Sequence, residues 1–198
     1  MMSKGRGLFI VLYGPEGVGK RLQAGILEEK LRKLGHLCRR VRYPVYGGGP
    51  VGGKLDRILH KTRENLSEEE RQRLFAKNRE EFEPTLKSWL NSGVTVVCEN
   101  YKGTGMVWGV VRGLTAEKME EINKGSLDCD VAILIDGPIR ERLPDEHPYG
   151  DEEEWHKVRK VYLQMADKYG WVRVGGDAPV LTVSNRIWAV VRPVVGMR

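Results

Sequence analysis

The chain has 198 residues, of which 40% are hydrophobic and 30% charged, and its formal net charge is +6 at pH 7. This balance is typical of one globular domain with a proper core and excludes a disordered or low-complexity chain. No apolar run approaches the roughly 20 residues that a membrane-spanning helix needs, so no membrane partner is expected.

The excess of basic residues suits an anionic partner. Acidic residues come in bursts at 68–70 and 151–154, whereas basic residues spread over several predicted helices. Because no continuous basic stripe results, we expect phosphorylated small molecules as partners, and nucleic acid is an unlikely one. Cys38, Cys98 and Cys129 are odd in number and show no metal-ligand spacing, which favours buried thiols in a reducing, cytoplasmic compartment.

The first predicted element is a strand buried on both faces, LFIVLY at residues 8–13, which Gly14 closes. A helix follows, in which apolar residues recur at helical spacing until Gly35: Leu22, Ile26, Leu27, Leu31 and Leu34. The segments LCRRVRY, at residues 37–43, and VTVVCEN, from Val94, predict a second and a third strand.

A long helix is predicted from Ser67 to Leu90, between the second and third strands. Ser67 and Glu70 form a capping box at its start, and Pro84 is expected to kink or divide it. VAILID from Val131 and WVRV from Trp171 predict two further strands. Alternation of five strands with helices predicts an α/β fold, a five-stranded parallel sheet with helices on both faces, in a single domain.

The loop after the first strand carries the strongest functional signal. Gly14, four further residues, Gly19 and Lys20 make G-x-x-x-x-G-K, in which backbone N–H groups converge on phosphate oxygens and the lysine reaches the outer phosphates. The alternative is an ordinary glycine-rich turn. We expect ATP to be bound by the loop and the first turn of the helix: Gly14, Pro15, Gly17, Val18, Gly19, Lys20, Arg21 and Gln23.

Arg21 stands where this motif normally has a serine or threonine. That hydroxyl usually ligates Mg²⁺, which an arginine cannot do. Either the metal is held by other groups, or the guanidinium partly replaces its charge. The other interpretation is that Arg21 only points to solvent.

Four blocks of sequence together resemble the thymidylate kinase family of P-loop nucleoside-monophosphate kinases. They are FIVLYGPEGVGK with LQ following, RYP at residues 42–44, LFAKNREEFEP at residues 74–84, and GVTVVCENY at residues 93–101. Order and spacing of all four agree with the family. The resemblance implies a P-loop kinase fold, transfer of the ATP γ-phosphate to dTMP with Mg²⁺ as cofactor, a short lid at residues 140–151, and a homodimer.

The resemblance also implies how a pyrimidine nucleoside monophosphate is held. Phe75 would stack on the base, although a core aromatic is the alternative. Arg79 would read the edge of the base, although a surface ion pair with Glu83 is the alternative. Trp108 would lie beside the nucleotide, unless it is a plain core tryptophan.

The acceptor's sugar and phosphate have their own candidate residues in the same resemblance. Glu16, inside the phosphate loop, would contact the sugar. Arg42 would bind the acceptor phosphate with Pro44 beneath it, unless it is merely an exposed basic residue on the edge of the sheet. These residues complete the acceptor site that the resemblance implies.

The sequence departs from the family at Asp-Arg-Tyr, which is Glu99, Asn100 and Tyr101 here. Glu99 keeps the charge and is the candidate for catalysis and for holding Mg²⁺. Asn100 and Tyr101 are expected beside the acceptor, but Asn100 cannot supply the cation with which the family clamps the acceptor phosphate. Lys102 is the candidate replacement, as a point charge rather than a fork.

Cations from the lid are expected to complete the catalytic set. Gly17 occupies the loop position where other members carry an arginine, so Arg142, and after it Arg140, are the candidates to neutralise the transferring phosphoryl group. Two rival functions stay open. One is a nucleotide-binding relative with weak catalysis and a regulatory role, and the other is a kinase of a different monophosphate, because Gly109 stands where many relatives have glutamine.

Overall fold

The computed structural model describes residues 5–47, 49–60, 66–139 and 152–196. The strands found there are β1 (Phe9–Tyr13), β2 (Cys38–Arg42), β3 (Thr95–Glu99), β4 (Val131–Asp136) and β5 (Val172–Gly175). The helices found there are α1 (Lys20–Lys33), α2 (Pro50–His60), α3 (Glu68–Asn91), α4 (Lys102–Val111), α5 (Ala116–Ile122), α6 (Glu152–Tyr169) and α7 (Val180–Gly196).

The strands form one sheet in the order β2-β3-β1-β4-β5, and every pairing is parallel. The predicted five-stranded parallel sheet is therefore confirmed. β1 and β3 are buried along their whole length, because they lie inside the sheet and helices cover both of its faces. β2 lies at the edge, where its arginines are exposed.

Side chains of β1 alternate between two hydrophobic layers, as the pleat of a strand requires. Ile10 and Leu12 pack in the layer that contains residues of α1 and α7. Phe9 and Val11 pack in the other layer, with residues of α3, α4 and α6. Helices therefore cover both faces of the sheet, as predicted.

α3 begins with the predicted capping box. The Ser67 hydroxyl accepts a hydrogen bond from the Glu70 backbone N–H at 3.3 Å, and the Ser67 N–H donates to the Glu70 carboxylate at 2.8 Å. Of the two effects expected of Pro84, a kink or a division, the division is wrong, since α3 continues unbroken from Glu68 to Asn91. Pro84 and Glu80 are both exposed, so the carbonyl that loses its partner at the proline can bond to water instead.

Three further sequence expectations concern the lid, the cysteines and membrane-spanning helices. The expected lid, residues 140–151 with Arg140 and Arg142, lies outside the described residues. All three cysteines are free thiols, with Cys38 and Cys98 buried and Cys129 partly buried. Over the ranges that the structure describes, no helix is long and apolar enough to cross a bilayer.

Candidate active site

The phosphate loop joins the carboxyl end of β1 to the start of α1. Its glycines take backbone angles that other residues avoid, with φ of 148° at Gly14, 80° at Gly17 and 90° at Gly19. A Cβ on Gly14 would lie only 2.6 Å from the carbonyl oxygen of Ile135, so a side chain has no room there. Gly19 caps α1 without any side-chain hydrogen bond, which leaves N–H groups of the first helical turn available to an anion.

Lys20 is folded into this loop. Its ammonium donates to the carbonyl oxygens of Gly14 at 2.8 Å and Pro15 at 2.7 Å, and lies 3.7 Å from the Glu16 carboxylate. Burial lowers the pKa of Lys20, and Arg42 lowers it further, against the effect of Glu16. The loop thus holds one buried cation at the point where the outer phosphates are expected.

Glu99 ends β3 beside that cation. It is 4% exposed, and burial raises its pKa above the ordinary value. Four cations close to the carboxylate oppose this shift: Arg42, Arg40, Lys20 and Arg21. The arrangement places an acidic side chain within a cluster of positive charge, which suits a site for several phosphates.

Mg²⁺ has few protein ligands available in this region. Within the described ranges, no cluster of three or more His, Cys, Asp or Glu side chains could hold a metal ion. Mg²⁺ at phosphate sites usually binds one or two carboxylates, with phosphates and water as its other ligands. Glu99 fits that requirement as a single carboxylate, and Arg21 cannot contribute to it.

A cavity of about 230 Å³ lies between α3 and α4. Phe75, Arg79 and Trp108 line it, as expected of residues that hold a base. Glu16 and Asn100 line it as well, so the cavity extends to the phosphate loop and the end of β3. One continuous site therefore joins the candidate base-binding residues to the candidate phosphate-binding residues.

Arg79 is buried in the cavity wall, 3% exposed. Its terminal nitrogen donates to the Asn123 side-chain oxygen at 2.6 Å, and the Asn123 amide in turn donates to the Met119 carbonyl at 2.7 Å. The alternative of a surface pair with Glu83 is wrong, because Glu83 pairs with Lys87 at 2.6 Å. Burial lowers the pKa of Arg79, and a guanidinium that has lost its water in this way favours a polar ligand.

The remaining acceptor candidates divide into two groups. Pro44 and Tyr101 line the cavity with those already named. Arg42 is exposed on the edge strand β2, as its alternative interpretation predicts, but it still lies close enough to affect the pKa values of Lys20 and Glu99. Lys102 pairs with Asp128 and is not among the residues that line the cavity.

Other predicted site residues make contacts that the sequence did not indicate. The Gln23 amide donates to the Val180 carbonyl at 3.0 Å, which ties α1 to the start of α7. Arg21 is exposed, and its backbone oxygen accepts a bond from Arg40 at 3.3 Å. Asn100 has a φ of 58°, a left-handed conformation that asparagine tolerates better than most residues.

Gly109, at the position where many relatives have glutamine, faces away from the cavity. A Cβ there would lie 2.2 Å from the sulfur of Met119. Gly109 therefore lets α4 pack closely on the Met119 side chain, and it is not among the residues that line the cavity.

Several buried polar atoms of the cavity wall have no hydrogen-bond partner among the residues that the structure describes. They are the hydroxyls of Tyr43 and Tyr101, the side-chain oxygen of Gln72, and the Nε atoms of Arg71 and Arg79. Buried polar groups are nearly always satisfied, so this concentration indicates a site built for a polar ligand.

Arg71, Gln72 and Asn123 were not among the residues that the sequence analysis named. Gln72 lies three residues before Phe75 and seven before Arg79, so helical spacing alone could have placed it on the same face of α3. No sequence spacing indicates Asn123, because its contact with Arg79 depends on how α5 packs against α3.

Comparison with known proteins gives a consistent result. The family model described as thymidylate kinase matches residues 12–187. A thymidylate kinase of Synechococcus sp. (strain JA-3-3Ab) is 31% identical over 202 residues, covering 94% of this chain and 96% of its own. A thymidylate kinase of Deinococcus radiodurans is 28% identical over 201 residues, with 94% and 97% covered. The thymidylate kinase structure from Candida albicans aligns with a TM-score of 0.79 at 21% identity, covering 95% of this chain and 92% of its own.

Proposed function

The chain belongs to the thymidylate kinase family of ATP-dependent phosphotransferases, and we propose that it transfers the γ-phosphate of ATP to dTMP. The observation that carries this proposal is the continuity of the site. Glu16 belongs to the phosphate loop and also lines the cavity that contains Phe75 and Arg79. A donor triphosphate on the loop and an acceptor in the cavity would therefore meet beside Lys20 and Glu99.

The reaction needs little from the protein besides positioning and charge. An oxygen of the acceptor phosphate forms a bond to the γ-phosphorus, while the bond from that phosphorus to the β-phosphate oxygen breaks and leaves ADP. The acceptor phosphate is already ionised, so no strong general base is required. Lys20 would stabilise the negative charge on the transferring group, and the backbone N–H groups of the loop would hold the rest of the triphosphate.

Mg²⁺ would supply further charge neutralisation on the outer phosphates when it is bound. Glu99 is the residue that would hold it, and Arg21 would add a cation on the donor side. Arg142 remains a prediction, because it lies outside the described residues. We also propose a cytoplasmic homodimer: the three free thiols support a reducing compartment, and the dimer rests on the family resemblance alone.

A second function has one observation in its favour. Arg21 and Asn100 alter two positions around the reacting phosphates, and losing one contact of this kind commonly costs about 2.7–4 kcal/mol of transition-state stabilisation. With that much transition-state stabilisation lost, the protein would still bind nucleotides but would catalyse phosphoryl transfer only weakly.

One assay separates the two functions. Each of dTMP, dUMP, dCMP and dGMP is incubated with ATP and Mg²⁺, and diphosphate formation is followed by chromatography. We expect dTMP to give the highest kcat/KM. Binding of dTMP without any diphosphate would favour the regulatory relative, and faster conversion of another monophosphate would replace dTMP as the acceptor.

A further inference from the structure

Gln72 is a buried polar residue of the cavity whose role the proposed function does not explain. It lies on α3 and is 1% exposed. Its side-chain NH₂ donates to the Glu68 carboxylate at 2.7 Å, and its side-chain oxygen has no hydrogen-bond partner within the described part of the chain. A carboxylate can only accept from this amide, so Glu68 fixes which end of the Gln72 amide faces the cavity. The free end is a hydrogen-bond acceptor.

This acceptor lies next to the donors of Arg79. A Cβ on Gly105 of α4 would lie 3.0 Å from the Gln72 side-chain oxygen and 3.6 Å from both terminal nitrogens of Arg79. The two side chains therefore flank the same point in the cavity. Glycine at 105 leaves that point open, because any larger residue would approach the Gln72 oxygen.

The combination of groups restricts which base can bind. Arg79 has only donors, so it must face an acceptor, and the Gln72 oxygen must face a donor. Thymine and uracil present the O4 acceptor next to the N3–H donor. Cytosine presents the reverse, an amino donor next to the unprotonated N3. Guanine also carries a carbonyl beside an N–H, but its second ring makes it larger than a pyrimidine.

We propose that Gln72 reads the N3–H of the pyrimidine and, with Arg79, makes the acceptor site selective for 4-oxo bases over cytosine. This inference rests on the proposed function, because it takes a pyrimidine monophosphate as the acceptor. Arg79 alone would recognise a carbonyl oxygen, whereas the pair recognises two adjacent atoms of opposite character. A site of this type rejects the wrong base because its buried polar groups would stay unpaired.

The test compares kcat/KM for dTMP, dUMP and dCMP in the wild type, Gln72→Met and Gln164→Met. Methionine keeps the length of the side chain and removes the acceptor, and Gln164 is an exposed residue of α6, so its variant is the matched control. In Gln72→Met we expect kcat/KM for dTMP and dUMP to fall about tenfold, the effect of one lost buried hydrogen bond, while the value for dCMP stays or rises. The ratio of dTMP to dCMP then falls about tenfold. Gln164→Met should match the wild type.

A second variant examines the orientation of the amide. Glu68→Met removes the acceptor that fixes Gln72, so the amide can turn its NH₂ toward N3 of cytosine. We expect this variant to lose activity on dTMP, because the Gln72 oxygen no longer faces N3–H in every molecule, and to gain little on dCMP, because the cytosine amino group still faces the donors of Arg79. Circular dichroism and the melting temperature show whether each variant is folded. If one variant fails to fold, the other alone decides whether Gln72 reads the base.

The measurements distinguish failure of the Gln72 proposal from failure of the proposed kinase function. An equal loss on dTMP and dCMP in Gln72→Met, or no loss on either, overturns the role of Gln72 as a base reader. If the wild type binds dTMP without phosphorylating it, the proposed function fails, and the same ratio taken from dissociation constants decides the role of Gln72. A wild type that prefers dCMP, or that binds neither nucleotide, overturns both.

Discussion

The cavity and the phosphate loop differ in the groups that they offer to a ligand. The cavity offers buried side chains with fixed partners, such as Arg79 held by Asn123 at 2.6 Å. The loop offers backbone N–H groups whose positions are set by Gly14, Gly17 and Gly19. A side-chain substitution in the loop can therefore leave its shape unchanged, whereas a substitution in the cavity removes a contact directly. This difference explains how Arg21 can occur beside an intact loop.

Lys20 is the exception in the loop, because the proposed function assigns a role in the reaction to its side chain rather than to its backbone. Lys20→Met should lower kcat about 10²- to 10³-fold, the usual effect of removing one group that stabilises charge in the transition state. The dissociation constant of dTMP should stay within about twofold, since the cavity is untouched. Steady-state kinetics and calorimetry measure the two effects.

Lys54→Met is the matched control for that variant, because Lys54 is an exposed residue of α2. It should behave as the wild type. If Lys20→Met weakened dTMP binding as much as turnover, donor and acceptor sites would not be separable in the way the structure indicates.

Phe75→Ala tests the cavity in the same way. Loss of stacking on the base should cost about 1–3 kcal/mol, which is roughly 5- to 150-fold in the dissociation constant of dTMP. The KM for ATP should not change. Phe75→Tyr keeps the ring and should retain most of the affinity. Unchanged dTMP binding in Phe75→Ala would mean that the ring only packs against the protein.

Asn123→Ala tests a residue that positions Arg79 without touching the base. Removing the acceptor of a buried guanidinium should raise the KM for dTMP about tenfold, with kcat nearly unchanged. Asn123→Asp restores the acceptor for Arg79 but loses the donation to the Met119 carbonyl, so it should recover part of the rise in KM while its melting temperature stays lowered; a purely structural role would move both together. Kinetics with both variants, beside their melting temperatures, distinguishes positioning from folding.

The two regions also differ in how far the sequence predicts them. β1, β3 and the loop between β1 and α1 are predictable because their signals are local: buried apolar runs, and glycines at fixed spacing. The sequence analysis did not predict α2, because a proline and two glycines are among its first four residues and these residues disfavour helix. The sequence could not show that α3 runs unbroken through Pro84, because the cost of a missing bond depends on whether water reaches the carbonyl.

The same limit applies inside the cavity. Phe75 and Arg79 came from the family resemblance, and the spacing of α3 could have added Gln72. The contact between Arg79 and Asn123 spans 44 residues and depends on tertiary packing, so no local pattern indicates it. Lys102 was a reasonable candidate by charge, but the sequence could not show that Asp128 lies within reach of it.

Arg21→Thr has the smallest expected effect, because the side chain is exposed and water screens its charge. If Arg21 adds a cation beside the donor phosphates, the variant should raise the KM for ATP about threefold to fivefold, the range of an exposed ionic contact worth up to about 1 kcal/mol. Arg21→Lys should keep most of the effect, and the difference between wild type and Arg21→Thr should shrink as salt is raised. The threonine also restores a hydroxyl at the position where the motif normally ligates Mg²⁺. Kinetics at low and high ionic strength would therefore separate the two contributions, and unchanged or faster turnover at low salt would remove any catalytic part for Arg21.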